Sequence, residues 1–246
     1  MLVFLFSFNA PILGEYKPQC FNIVDENLHR QEGFNNCRIK VNGEKLFLDS
    51  FVQNAMVVFD VGANKGDWTD TVIKTEKTGL QIHLFEPIPD LRDVLNKRFK
   101  SSALHVNSLA LSNEEGLIEF YVYPARLQLS SFYDREVLKS GFISEKIYVK
   151  MGTLDQYCLN NHINNIDLLK LDVEGAEWKV LTGSKRMISE NRIGCVYFEY
   201  GGANVDSATT LKQIYKFLKM NGYEVYRLYS KGMLHIKKWS DRLENY

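Results

Sequence analysis

The sequence predicts an α/β domain with helices on both faces of a mostly parallel sheet. Three observations predict it. Short β-rich apolar runs alternate with helix-period segments from Met56 onward. The central runs are apolar at successive positions, as strands buried on both faces must be. A glycine turn follows the first of them directly, at Gly62 to Gly66.

The first run, Met56 to Val61, is read as the central strand, followed by a helix near Trp68 to Lys74. Gln81 to Phe85 is the second strand, and its helix begins near Pro89 with Leu91, Val94, Leu95 and Arg98 on one face. The third strand is short, around Ala103 to Val106. The rhythm then breaks. Leu117 to Tyr123 and Lys146 to Lys150 read as extra strands around a polar loop from Pro124 to about Ser144, so 117–150 is taken as an insertion near the mouth of a site. The alternation returns with a helix at Leu154 to Asn160, a strand at Ile166 to Leu171 and a helix at about Gly175 to Leu181 ended by Gly183. A strand at Gly194 to Phe198 follows, then a helix carrying Leu211, Ile214, Tyr215 and Leu218 at helical spacing. Tyr223 to Tyr229 and Met233 to Lys237 close the chain as an antiparallel hairpin at the sheet edge.

Residues 1–50 show weak periodicity and read as an N-terminal arm on a main domain of 51–246. The apolar opening MLVFLFSFNAP lacks a basic leading region and is shorter than the ~20 residues of a membrane span, so it is expected to be a buried strand or a packing arm, with a trimmed signal as the alternative. No later stretch is long enough to cross a bilayer. Hydrophobic residues make up 45% of the 246, enough for a sizeable core. Thirty basic residues balance thirty acidic ones, which argues against a nucleic-acid partner. Cys20, Cys37, Cys158 and Cys195 form no C-x-x-C pair and read as reduced thiols of a cytoplasmic protein, with a Cys20–Cys37 disulfide as the alternative. His29, His83, His105, His162 and His235 are scattered and have no ligand spacing.

Two stretches carry chemistry. In Asp60-Val61-Gly62-Ala63-Asn64-Lys65-Gly66 a strand ends, glycines turn the chain and a helix begins. Such a turn leaves room for a ligand and presents free N–H groups. The next strand ends at Glu86, twenty residues after Gly66, where an acid accepts hydrogen bonds from ribose hydroxyls in nucleotide-binding sites. The spacing Gly62-x-x-x-Gly66 is not the G-x-G-x-x-G of a pyrophosphate site, and Asp60 beside it favours a cation. The second stretch, Ile166 to Glu177, is an apolar strand ending in Asp172 and Glu174, at the strand ends where open α/β sheets bind ligands. Acids there are either functional or caps of the following helix. Function is preferred for Asp172 and a capping role for Glu177.

Taken together these motifs resemble the FkbM family of methyltransferases. The resemblance is carried by Asp60-Val61-Gly62-Ala63-Asn64-x-Gly66, Phe85-Glu86-Pro87, Asn107 to Ser112 with Gly116, Thr153-Leu154-Asp155 and Asp167 to Glu177, in that order, over about residues 55–200. It implies a Rossmann-like class I methyltransferase fold with a seven-stranded sheet whose last strand is antiparallel. It also implies S-adenosyl-L-methionine as methyl donor and O-methylation of a hydroxyl, often on a sugar, glycan or polyketide-like product.

On that resemblance Asp60, Gly62, Ala63, Asn64 and Gly66 are expected near the methionine end of the donor, Glu86 and Pro87 at its ribose, and Asn107, Ser108, Leu109 and Ala110 near its adenine, with Asp172 at the same crevice. A hydroxyl acceptor has to lose a proton, so a base is expected. Asp172 is the first choice and Glu199 the second, with Glu174 and Lys170 as further candidates. Carboxylates from neighbouring strand ends would also suit a divalent cation, which leaves metal dependence open. Ser130 and Ser131 are read either as acceptor contacts or as ordinary loop serines. Two rival readings share the glycine turn: a nicotinamide-dependent sugar oxidoreductase or epimerase, disfavoured by the missing middle glycine, and a non-catalytic binding protein. Oligomeric state is not readable.

Overall fold

A computed structural model describes residues 43–135, 141–230 and 232–244, and the backbone of Leu2–Ser7. Cys20 and Cys37, and with them the disulfide alternative, lie outside these residues, as does part of the 124–144 loop.

The strands are β1 (Leu2–Ser7), β2 (Val57–Val61), β3 (Gln81–Phe85), β4 (Leu104–Asn107), β5 (Ala110–Leu111), β6 (Gly116–Val122), β7 (Glu145–Gly152), β8 (Ile166–Leu171), β9 (Ile193–Glu199), β10 (Tyr223–Tyr229) and β11 (Gly232–His235). The helices are α1 (Glu44–Phe51), α2 (Asp67–Ile73), α3 (Pro89–Arg98), α4 (Leu154–Asn160), α5 (Glu177–Thr182), α6 (Lys185–Ser189), α7 (Gly202–Asp206) and α8 (Leu211–Met220). The main sheet runs β11-β10-β1-β9-β8-β2-β3-β4. Strands β4, β3, β2, β8 and β9 are mutually parallel, as the alternating pattern predicts.

Among the described residues the sheet has eight strands, not seven. The added strand is β1, which lies between β9 and β10 and runs antiparallel to both. Its partners are residues 195–199 and 223–227, so the pairing is non-local and leaves no periodic mark on the short apolar run that forms it. The closing hairpin is as expected: β11 pairs antiparallel with β10 at the edge. The insertion forms a second sheet, β5-β7-β6, packed on α3 through Ile88, Leu91, Phe120, Val122 and Val149.

Each face of the main sheet buries its own apolar layer. One packs Phe59, Leu169, Leu171, Val196 and Phe198 under α4, α5, α6 and α8. The other packs Val58, Leu84, Leu168, Cys195 and Tyr197 under Phe47, Leu48 and Phe51 of α1 and Trp68 and Val72 of α2. Side chains alternate across a pleated strand, so each strand feeds both layers. Helix starts are fixed locally: Thr153 and Thr210 accept from the N–H of Gln156 and Gln213, each at 3.1 Å, and begin α4 and α8.

Two acids of the family-like motifs are structural. Asp167, at the base of β8, accepts the N–H groups of Met56 and Val57 at 2.7 and 2.8 Å and pins the entry to β2. Asp155 accepts those of Arg186 and Met187 at 2.8 and 3.0 Å and holds the start of α6. Asp167→Ala would leave two main-chain donors without their acceptor, and is expected to cost about 1–3 kcal/mol in denaturant unfolding with the fold retained.

Candidate active site at the strand tips

The carboxyl ends of β2, β3, β8 and β9 meet along one edge of the sheet, and most of the singled-out residues lie there. Gly62 takes a left-handed backbone (φ +78°), and a Cβ at that position would lie 1.9 Å from the carbonyl oxygen of Asp172. The glycine therefore lets the first turn pass against the tip of β8. Gly66 (φ +83°) serves packing instead, since its Cβ would strike the Phe99 ring at 2.5 Å. The amides of Gly62 and Ala63 are bonded to Phe85 O at 3.0 and 3.1 Å, and Asp172 N to Val61 O at 3.0 Å, so the tips are stitched together.

Glu86 is buried just beyond β3. One carboxylate oxygen accepts the N–H of Asn64 and the other that of Ile88, both at 2.9 Å. Burial pushes its carboxyl up to about 7, against the pull of those two amides. Pro87 is half-buried beside it. Ser108 is exposed and takes a hydrogen bond from Arg92, Leu109 is half-buried, and Ala110 is buried in β5. Asn107 donates to Leu84 O and His105 O and accepts from Tyr157, whose hydroxyl also meets the His83 ring. Burial, with His105 alongside, pushes His83 down to about 4, consistent with a neutral structural ring.

Asp60 does not open into the crevice. It is fully buried on the face covered by α1 and α2, where one oxygen accepts from Thr69 at 2.6 Å and the other pairs with Lys170 at 3.0 Å. Lys170 is Asp60's cross-strand neighbour on β8, and Tyr197 is the next along on β9. The Lys170 ammonium also donates to Gly62 O at 2.9 Å and lies 3.4 Å from Asp172. Burial opposes its charge, but Asp60 and Asp172 outweigh burial and hold it above the ordinary lysine value. Asp172 itself is exposed at the tip.

Glu174 (φ +49°) is held by the insertion. Its carboxylate meets Arg135 at 2.6 Å and its carbonyl accepts from Ser131 at 2.6 Å, while Arg135 also reaches Asp206 on α7 at 3.2 Å. Burial and the nearby Asp172 push Glu174 up to about 8, opposed by Arg135. Glu199, half-buried at the end of β9, is raised by burial and then by Asp172. Glu177 accepts from Val173 N, Gly175 N and Asn204 Nδ2 at 3.2, 3.3 and 2.7 Å, so it is structural, but it ties down the turn before α5 and does not cap the helix as expected. Ser130 and Ser131 are both buried, and Ser130 accepts from Tyr123 N at 3.1 Å.

Sequence reasoning missed Arg135, Trp68, Tyr197 and Glu44. Trp68 stacks on Tyr197 with centroids 6.2 Å apart, and the Lys170 ammonium lies 5.9 Å from its ring. Tyr197 donates to the buried Glu44 of α1. None stands in a spaced motif. The one available signal was a charged Lys170 inside an apolar strand, which demands buried partners. Among the described residues no group of three or more His, Cys, Asp or Glu side chains is placed to hold a metal ion, and no helix is long and apolar enough to cross a membrane.

The sequence model of the FkbM methyltransferase domain matches residues 60–225. The chain belongs to the FkbM methyltransferase family. That span runs from Asp60 through the glycine turn and both acid-tipped strands into β10. Among curated proteins it is similar to the 31-O-demethyl-FK506 methyltransferase FkbM of Streptomyces tacrolimicus, 29% identical across 52% of this chain and 58% of that protein. The chain thus matches little more than half of the relative's length. Among solved structures it is similar to the methyltransferase FkbM of Methylobacillus flagellatus KT, with a TM-score of 0.37 and 18% identity over 55% of this chain and 30% of that one. Membership of a methyltransferase family disfavours the nicotinamide reading.

Two outcomes follow from the buried acids. Glu86 and Glu177 rise from 4.5 to about 7 and Glu174 to about 8 on folding, so the native state holds protons that the unfolded chain has released. The stability they contribute is complete below about 4.5 and is lost as pH rises through about 7 to 8. The contribution of His83, depressed to about 4, is already complete above 6.5. Unfolding free energy is therefore expected to fall by on the order of 1–3 kcal/mol between about pH 6.5 and 8.5, read from urea titrations at both. Glu177→Gln stays neutral at every pH and is expected to flatten the part of that fall that Glu177 contributes, read from the same urea titrations at both pH values.

Proposed function

We propose that this FkbM-family chain is an S-adenosylmethionine-dependent O-methyltransferase acting on a hydroxyl of a small molecule or glycan, with a sugar hydroxyl as the leading class. The observation that carries the reading is the pairing of the Gly62 turn with two carboxylates at the tips of the strands on either side of β2, Glu86 beyond β3 and Asp172 beyond β8. The residues fit such a donor. Each Glu86 oxygen accepts one amide and keeps a lone pair for a sugar hydroxyl. Lys170, the buried cation beside the turn, is committed to Asp60, Gly62 O and Asp172, and the acids Glu86 and Asp172 at the tips suit a positively charged donor. The name of the Streptomyces relative specifies methylation at an oxygen, which supports a hydroxyl acceptor.

When bound, the donor supplies an electrophilic methyl group on a sulfonium. The chain's own work is then to orient the acceptor oxygen in line, exclude water and take up a proton. Gly62, Ala63, Asn64 and Gly66 shape the crevice, Glu86 and Pro87 hold the ribose end, and Ser108, Leu109 and Ala110 flank the adenine end. Asp172 is the base, because it is the exposed carboxylate at the centre of the tips. Glu199 stands next to it as the second acid. Glu174 is tied to Arg135 and is better suited to hold the wall than to exchange a proton. In this reading residues 51–246 are the catalytic unit, residues 1–50 an arm that lends it β1 and α1, and the 117–150 insertion faces the acceptor.

Calorimetry with S-adenosylmethionine and with NAD separates the donor classes: saturable binding of the first alone is expected, and binding of NAD alone would sink the reading. Incubation with isotopically labelled donor and a panel of glycans and hydroxylated small molecules, read by mass spectrometry, is expected to show label on oxygen. Asp172→Asn is expected to lose about 10²–10⁴-fold in turnover while still binding the donor. Near-normal turnover in that variant would remove Asp172 as base.

A further inference from the structure

Lys170 is the cation in a strand whose other positions, apart from Asp167 at its base, are apolar: Ile166, Leu168, Leu169 and Leu171. It is 4% exposed, so its charge has been taken out of water and must be matched inside the protein. An ammonium has three N–H donors and no acceptor. One goes to Gly62 O in a hydrogen bond of 2.9 Å, and the charge is matched by ion pairs with Asp60 Oδ1 at 3.0 Å and Asp172 Oδ2 at 3.4 Å. These partners belong to three different parts of the edge. Asp60 is in the body of β2, Gly62 is the first residue of the turn after it, and Asp172 is the exposed acid beyond β8. The stem is fixed as well, since Trp68 of α2 lies beneath the ammonium and Tyr197 stacks on Trp68 from β9.

We propose that Lys170 is a positioning residue that locks the donor-binding turn and the acid of the next strand tip into one rigid unit. It exchanges no proton and does not touch the acceptor. A simpler role, neutralising buried Asp60, would need only one of the three contacts. The extra two fall on the carbonyl of the turn and on the carboxylate assigned as base. This inference rests on the S-adenosylmethionine reading above and adds to it the residue that keeps the two halves of the site in register.

The test compares Lys170→Met in two backgrounds, wild type and Asp60→Asn. Methionine keeps an apolar stem of similar length and removes all three donors. In the wild-type background it strands the Asp60 charge, and the protein is expected to be destabilised. The Asp60→Asn background removes that stranded charge, so it supplies a folded partner for comparison. Two readouts are taken on the full chain: calorimetric affinity for S-adenosylmethionine and, without any ligand, hydrogen exchange of peptides covering 61–66 and 172–175.

If Lys170 positions the edge, Asp60→Asn/Lys170→Met binds the donor about tenfold or more weakly than Asp60→Asn, and amide protection falls together in both segments. Equal affinity and equal protection in those two proteins would mean that Lys170 only balances Asp60, and would overturn the proposal while leaving the donor reading intact. Loss of protection in one segment alone would overturn the coupling. A wild-type chain that binds no S-adenosylmethionine would end the donor reading and this proposal with it.

Discussion

The site edge is organised around one buried ion pair. Asp60 and Lys170 face each other across β2 and β8 in the middle of the sheet, with every neighbouring strand position apolar. A pair of that kind is expensive to desolvate, and removing either partner would strand the charge of the other. Here Thr69 completes Asp60 from α2, and Gly62 O and Asp172 complete Lys170. The pair therefore reaches out of the core and fixes the two loops that any ligand at this edge must meet.

A second set of constraints comes from the insertion. Arg135 and Ser131 grip the side chain and carbonyl of Glu174, and Glu177 gathers the amides of Val173 and Gly175 from the other side. The turn after β8 holds consecutive left-handed residues, Glu174 and Gly175, and would be costly to keep without that grip. The insertion thus acts on the site from a separate small sheet and does so through main-chain as well as charged contacts.

Much of the architecture was legible because it follows from local pattern. Continuous apolar runs gave the five parallel strands, Leu154 to Asn160 and Leu211 to Leu218 gave α4 and α8, and the glycines at 62 and 66 marked the turn. What was not legible depends on partners distant in sequence. The place of β1 in the sheet is set by pairing with β9 and β10, and no local periodicity records it. Asp60 reads from sequence as a ligand-facing acid, yet its direction is set by the pleat of β2 against Lys170, and it points into the core. The motif acids Asp155 and Asp167 look like Asp172 in a string of letters, and only the main-chain amides around them show that they tie elements together. Arg135 lies in a stretch with no period at all.

The strand Leu2–Ser7 also bears on how the molecule is assembled in time. Both strands that flank it, β9 and β10, lie far from it along the sequence. Until it meets them, a mostly apolar segment has no native pairing for its amides, and β9 and β10 are not joined without it. Closing so long a loop is slow, and an exposed strand waiting for its partners invites pairing with other chains. Completion of the sheet thus waits on a contact between distant parts of the chain, and the edges of β9 and β10 stay open to wrong partners until it forms.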